Sequence, residues 1–467
     1  MRSHAVTKSI LKAVGVFGGV RMLLILCALI RNKLIAVFVG PAGVGLISLY
    51  NSVREMFGTL SSLNIDQSAT RDIARSPASK VDHTAGAVMR CSWVLGIAGA
   101  LLMCAMSPAL SLWSFDSVDL WWTYCLLSLV PLGTTIYNGV SAVFQGTRSF
   151  RKLARMSILS TLTGVIVAIP LIVFLRERSI IWVLVAYGVA AFASAMAFRP
   201  RLRHVVLNWR EVWRVGRSFI SLGFLITAGL LIGQLFNYFF ILFLNHYAST
   251  DTLGIYQAGF TIVNAYVGVF FTGMWVEFLP RLSAQVHSPR RTSISVSHQI
   301  STTAWLLMPV IGCFVCADEL IVKILYADNF MAMLPFITLG IAGVLLRAVS
   351  WCLAHVMLAR GDGRIYVVSE TVSGVFFLTL HIVFYRALGF LGLGIAYIIW
   401  YALYLAFVYI IYHRRYGLRV SAPAWRIVVV ATAFAAVCVL SKWYVGWWMT
   451  AILTAIIIPF SWKRLRS

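Results

Sequence analysis

The sequence predicts an all-α, polytopic membrane protein of about fourteen transmembrane helices, with twelve as the smaller count. Three observations predict it. Of 467 residues, 60% are hydrophobic and only 12% charged, against about 25% charged in a typical soluble chain. The mean hydropathy is +0.87. Apolar segments of about 20 residues, the length that crosses a bilayer as a helix, recur from one end of the chain to the other.

The segments are expected near 14–39, 44–70, 84–109, 119–145, 153–175, 180–198, 217–245, 253–279, 297–317, 331–358, 366–386, 391–412, 425–441 and 446–462. The first two form a hairpin around the tight turn Gly40-Pro41-Ala42-Gly43, and this hairpin, Arg21 to Asp66, organises the chain. Short polar breaks such as Arg176–Ser179 separate later pairs, and the last two segments meet at Val445-Gly446. The start is basic (Arg2, Lys8, Lys12) and runs into a long span with no A-x-A-like cleavage site, so no cleavable signal peptide is expected.

Orientation follows from Lys and Arg in the loops. With the spans placed as above, 28 of the 39 basic residues fall in one set of loops and ends, 5 in the alternate set and 6 within spans. This places both termini in the cytoplasm. It also accounts for most of the net charge of +24 as topology charge beside an anionic leaflet, so no nucleic acid is called for. The alternate loops are short and leave no room for an outer catalytic domain.

The longest basic loop lies between spans six and seven and carries Pro200 and six arginines. It divides the chain into an N-terminal lobe (1–198, six helices), a basic linker (199–216), a C-terminal lobe (217–413, six helices) and an additional helix pair (414–467). The lobes resemble each other weakly. Gly45-Leu-Ile-Ser48 aligns with Gly254-Ile-Tyr-Gln257, Arg71 with Arg281, and Gln145-Gly146 with Arg360-Gly361. Six spans per repeat is an even number, so the repeats are expected to be parallel, related by a pseudo-twofold axis along the membrane normal.

Charges inside the spans point to a site. A charge at the bilayer centre costs about 2.5–3.5 kcal/mol on insertion scales, so such residues tend to face a wet cavity or a partner. The first hairpin carries Arg21, Arg31, Lys33, Arg54, Glu55 and Asp66. At 100° per residue, Arg21 and Arg31 share one broad face, while Lys33 points away from Arg31. Either the Arg31-Asn32-Lys33 step is kinked or one base snorkels to the interface. On the second span Arg54 and Ser61 share a face with Asn51 close by, a polar stripe that suits a cavity wall. Residues adjacent in sequence do not face each other on a helix, which argues against an Arg54–Glu55 pair. Glu55 and Asp66, eleven apart, form a second, acidic line. Arg347, mid-span, is the second-half candidate. Arg31, Lys33, Arg54, Arg21 and Arg347 are expected to bind an anionic cargo, and Glu55 and Asp66 to bind a coupling ion.

Other embedded polar residues are Arg90, Gln234, Asn237, Asn264, Glu277, His355, Glu370 and His381; Arg90 is read as an interface charge, Glu277 as a helix-surface ion-pair partner of Arg281, and His355 and His381 as helix-packing groups. Eight cysteines all lie in apolar segments. Cys313-Phe-Val-Cys316 has metal or redox spacing but no second pair or His beside it, so it is read as packing. No catalytic residue, cofactor or metal is expected.

The stretch Lys33-Leu-Ile-Ala36 through Gly40-Pro41-Ala42-Gly43-Val44-Gly45, after a basic N-terminus, resembles the start of O-antigen and polysaccharide flippases of the multidrug/oligosaccharidyl-lipid/polysaccharide exporter superfamily. About the first 80 residues carry the resemblance in sequence; beyond them it rests on architecture. It implies a V-shaped transporter with a cationic cavity between two lobes. It implies a cargo of undecaprenyl-diphosphate-linked oligosaccharide, moved from the inner to the outer leaflet for surface polysaccharide biosynthesis. Membrane lipids and polysaccharide assembly proteins are the implied partners. The last helix pair resembles that of the lipid II flippase branch. Two alternatives stand beside this reading. A drug/cation antiporter of the same superfamily would need an acidic or aromatic cavity, whereas bases outnumber acids within the spans here. A polysaccharide polymerase or ligase would need a large outer loop, which is missing.

Overall fold

The computed structural model describes residues 23–176, 180–200, 208–266, 278 and 281–466. The described residues are helical and include no strand. The chain divides into two compact units, Met1–Asp251 and Thr252–Ser467. Nine helices among the described residues are long and apolar enough to cross a membrane. The count of fourteen is not reached among these residues, for stated reasons. Spans one and eight run into residues outside the described set. Span two is broken, spans eleven and twelve form one helix bent at Gly389, and the last helix, Trp447–Arg466, is not among the nine.

The first unit begins with α1 (residues 23–38) and α2 (Gly40–Ser62). Gly40 takes φ +78°, and Pro41 occupies the first turn of α2, where its missing N–H costs nothing. α2 ends at two left-handed residues, Leu63 (φ 44°) and Asn64 (φ 46°), and α3 (Ile65–Arg75) follows. Span two, expected as one helix, is therefore two. Asn tolerates the left-handed region, whereas Leu pays about 1–2 kcal/mol there, so something must brace the break.

The brace is α10 (Trp209–Tyr247), which follows α4 (Val81–Ala105), α5 (Ser107–Phe115), α6 (Trp121–Leu127), α7 (Leu129–Gly146), α8 (Phe150–Leu175) and α9 (Ile180–Ala197). Gly223 of α10 sits so close to the Leu63 carbonyl that a Cβ would lie 2.0 Å from its oxygen. Asn64 Nδ2 donates to Thr227 Oγ1 at 3.1 Å, and Gln234 Nε2 donates to Thr59 Oγ1 at 3.0 Å. These contacts place α10 within the first unit, so the boundary by packing falls after it, at Asp251/Thr252. The second half of the basic 199–216 segment is already helical: Asn208 and Glu211 form a capping box at the start of α10.

Small residues set the close crossings in this unit. A Cβ on Gly133 of α7 would lie 2.5 Å from the Gly188 carbonyl of α9, and one on Gly99 of α4 would meet Ser61. Such contacts let backbones approach where no hydrophobic drive between helices exists. α8 instead keeps Ile166 and Phe174 at 67% and 82% exposure, the mark of a lipid-facing helix.

The second unit continues α11 (Thr250–Thr261) into a π-turn, Ile262–Tyr266. It then builds around α12 (Pro289–Leu325), with α13 (Leu334–Ala359), α14 (Gly363–Arg414), α15 (Ala422–Tyr444) and α16 (Trp447–Arg466). α14 runs 52 residues and bends at Gly389, φ +59°, a conformation glycine adopts without steric cost. The final helix pair is present, and its turn falls at Gly446 (φ +125°), where the sequence puts it. Gly312 of α12 accepts Thr454 of α16 at a distance that leaves no room for a Cβ. Lys442, in the last turn of α15, pairs with Asp318 of α12.

Candidate functional site

In the first unit Arg31 of α1 and Arg54 of α2 are each held by nearby side chains. The Arg31 guanidinium donates from Nε and Nη2 to Asn32 Oδ1 at 3.3 and 3.1 Å. It also lies 5.2 Å from the ring centroid of Tyr187 on α9, a cation–π contact. Arg54 donates from Nε to Asn51 Oδ1 at 2.9 Å and from Nη2 to Glu55 Oε1 at 3.2 Å. Arg31 and Arg54 lie within electrostatic reach of each other.

Several expectations change here. The helix runs unbroken through Arg31-Asn32-Lys33, and Lys33 is half-buried. The Arg54–Glu55 pair does form, because a guanidinium arm is long enough to reach back along the helix surface. Glu55 is 57% exposed in its side chain. The acidic line from Glu55 to Asp66 does not exist as drawn, since the Leu63-Asn64 break separates them. Asp66 sits in the first turn of α3, where a carboxylate complements the helix N-terminus. Ser61 does not extend the Arg54 stripe into a cavity; it is buried against Gly99 and donates to the Phe57 carbonyl at 2.5 Å. Arg21 and Glu277 lie outside the described residues.

In the second unit Arg347 of α13 is the centre of a polar network. Its Nη1 donates to Asn264 Oδ1 at 2.5 Å, and its guanidinium lies 5.0 Å from the Trp351 ring centroid. Asn264 belongs to the π-turn, a distortion often found at functional positions. The same Oδ1 accepts from Tyr397 Oη of α14 at 3.3 Å. One turn further, the Tyr401 ring lies 4.9 Å from Tyr397. Tyr404 Oη then donates to Glu370 Oε1 at 3.1 Å.

The sequence supplied Arg347 but not its partners. Asn264 and Glu370 were visible only as embedded polar residues, and Tyr397, Tyr401 and Tyr404 fall at i, i+4 and i+7, the spacing of one helix face. Gln234 Oε1 and Asn237 Oδ1 of α10, also visible only as embedded polar residues, are buried with no hydrogen-bond partner among the described residues. No group of three His, Cys, Asp or Glu able to hold a metal occurs among the described residues. Cys316 lies 3.6 Å from the Trp447 carbonyl, consistent with a packing role.

Comparisons with known proteins agree with this picture. The lipid III flippase of Escherichia coli (strain K12) is 22% identical over 424 residues, covering 83% of this chain and 95% of that protein. The lipid III flippase of Shigella flexneri matches equally. Among solved structures, the lipid II flippase MurJ in an inward closed conformation aligns with TM-score 0.67 at 11% identity, over 95% of this chain and 97% of that one. An inward-facing multidrug resistance MATE family transporter of the MOP superfamily aligns with TM-score 0.72 at 13% identity, over 84% of this chain and 94% of that one. The fold is therefore that of these membrane transporters. A family model described as polysaccharide biosynthesis protein matches residues 34–335, and the chain belongs to that family.

Proposed function

We propose that this protein moves an undecaprenyl-diphosphate-linked oligosaccharide from the inner to the outer leaflet of a bacterial inner membrane, by alternating access, for surface polysaccharide biosynthesis. The observation that carries the reading is Arg347, held in a candidate membrane-spanning helix of the second unit and hydrogen-bonded to Asn264, in a chain of this family. Arg31 of α1 and Arg54 of α2 are the corresponding guanidinium groups of the first unit. A sugar headgroup in hydrocarbon would lose several kcal/mol per unsatisfied polar group. Guanidinium forks remove much of that cost for phosphate. In this account Arg31, Arg54, Arg347 and Arg21 bind the diphosphate. Lys33 takes a more distant charge of the cargo. Gln234 and Asn237 offer acceptors to sugar hydroxyls.

The transport cycle is coupled to an ion through embedded carboxylates. Glu55 and Asp66 remain candidates, and Glu370, hydrogen-bonded to Tyr404, joins them. Both termini face the cytoplasm, as the loop charges require. Leaflet accessibility of lipid-linked oligosaccharide in cells depleted of the protein tests the reading. Accumulation of inward-facing, unpolymerised repeat units is the expected result. Normal export with faulty chain lengthening would instead point to an enzyme of polymer assembly.

A further inference from the structure

At the end of the first unit that carries the Arg- and Lys-rich loops, α4, α7, α8 and the segment just past α9 line a half-open pocket of about 440 Å³. That is within the range of small-ligand sites. Its charged lining is Asp82 in the first turn of α4, Lys152 and Arg155 in the first two turns of α8, and Arg199 just past α9. Ser149, directly ahead of α8, adds a hydroxyl. Three cations thus face one carboxylate, and none of the three forms a salt bridge among the described residues. The pocket favours an anion.

The helix that supplies two of these cations says which kind. Lys152, Arg155, Leu159, Leu162 and Ile166 follow one another at alternating three- and four-residue steps, which places them on one stripe of α8. All five are exposed, with Leu159 at 42%, Leu162 at 38% and Ile166 at 67%. Only 22% of the apolar span of α8 is buried inside the protein, so this stripe meets hydrocarbon. It changes from cationic to apolar within one turn. A free anion would use only the basic end. An amphiphile would use both.

We propose that this pocket binds the phosphate of an anionic lipid in the leaflet beside the basic loops, with the lipid chain lying along Leu159, Leu162 and Ile166. Basic pockets between spanning helices on that side are a recurrent form of anionic-headgroup site. The inference does not depend on the roles given to Arg31, Arg54 or Arg347. Two lipids share the required chemistry, a bulk phospholipid and a polyprenyl diphosphate, and the experiment separates them.

The full chain, purified in a neutral maltoside detergent, is mixed with phosphatidylglycerol, phosphatidylcholine, undecaprenyl diphosphate or inorganic phosphate. Bound lipid is read by native mass spectrometry. Phosphatidylglycerol is expected to be retained over phosphatidylcholine. Each neutralised base should weaken retention about fivefold, and the K152Q/R155Q/R199Q variant on the order of a hundredfold. All three side chains are exposed, and Lys152→Arg, which keeps the charge, should bind normally. Leu162→Gln with Ile166→Gln should weaken lipid retention while leaving the basic end intact. If undecaprenyl diphosphate displaces phosphatidylglycerol from the unaltered protein, the pocket is assigned to the polyprenyl lipid. Unchanged retention in the triple variant overturns the proposal. So does displacement of phosphatidylglycerol by inorganic phosphate at equal concentration.

Discussion

Replacing Lys442 by methionine should destabilise the second unit by about 3 kcal/mol, because it strands a buried carboxylate. Asp318 is 3% exposed and Lys442 12%. Removing one partner of a buried pair costs about 3–5 kcal/mol. Asp318 would not be left bare: its Oδ1 accepts from the Glu319 backbone N–H at 2.7 Å, and its Oδ2 accepts from Thr338 Oγ1 at 2.6 Å. Those two bonds put the cost at the lower end of the range. Adding Asp318→Asn removes the charge: the amide oxygen still accepts from the Glu319 N–H, and the amide NH2 donates to the Thr338 hydroxyl, which itself donates to the Leu334 carbonyl. The double variant should then recover about 2 kcal/mol of the loss, a coupling of the size seen for contacting groups. Cys438 of α15 is fully buried, so in a background with the other seven cysteines replaced, thermal unfolding read by a thiol-reactive dye reports on release of this helix. The reasoning fails if K442M lies within about 0.5 kcal/mol of the parent, the scatter of surface substitutions. It fails equally if the double variant is no more stable than K442M.

Other expectations follow from the same packing. Gly223→Ala puts a methyl onto the Leu63 carbonyl and should cost about 1–3 kcal/mol by overpacking, seen as a lower melting temperature. Cys104 of α4 and Cys125 of α6 have sulfurs 2.8 Å apart. An added copper–phenanthroline oxidant should therefore crosslink them within one chain, and Cys104→Ser should abolish the product. Arg347→Lys keeps the charge but loses the fork that reaches Asn264. It should lower transport by about tenfold or more, since a hydrogen bond to a charged group is worth about 1.5–3 kcal/mol, while membrane insertion stays normal. A transport rate equal to the parent's would remove Arg347 from the site.

Much of the fold was legible because hydrophobic length and loop charge act locally. The bend between spans eleven and twelve, the last turn at Gly446 and the hairpin turn at Gly40-Pro41 all carry glycine where φ is positive. The break at Leu63-Asn64 was not legible. Its brace comes from Gly223 and Thr227, about 160 residues away in sequence, and no local pattern reports such a partner. The same holds for the site. Arg31, Arg54 and Arg347 stand out as charges in apolar runs, and that cost is visible in any window. The Arg54–Glu55 pair was misjudged because helix geometry fixes Cβ directions, not where a long guanidinium ends. The Arg347 network depends on a π-turn that brings Asn264 to α13, and periodicity cannot reveal a one-residue insertion in a helix. The Lys442–Asp318 pair is equally invisible locally, because the partners lie 124 residues apart.

The central claim is that embedded guanidinium groups carry a diphosphate-linked sugar through the membrane. The most direct test reconstitutes the full chain into liposomes containing a fluorescent polyprenyl-diphosphate sugar and follows dithionite quenching of the inner-leaflet pool. The account predicts rapid loss of the protected fraction with the parent protein, and little above protein-free vesicles with Arg54→Ala and Arg347→Ala combined, although the variant inserts normally. Equal quenching by the parent and the double variant would contradict it.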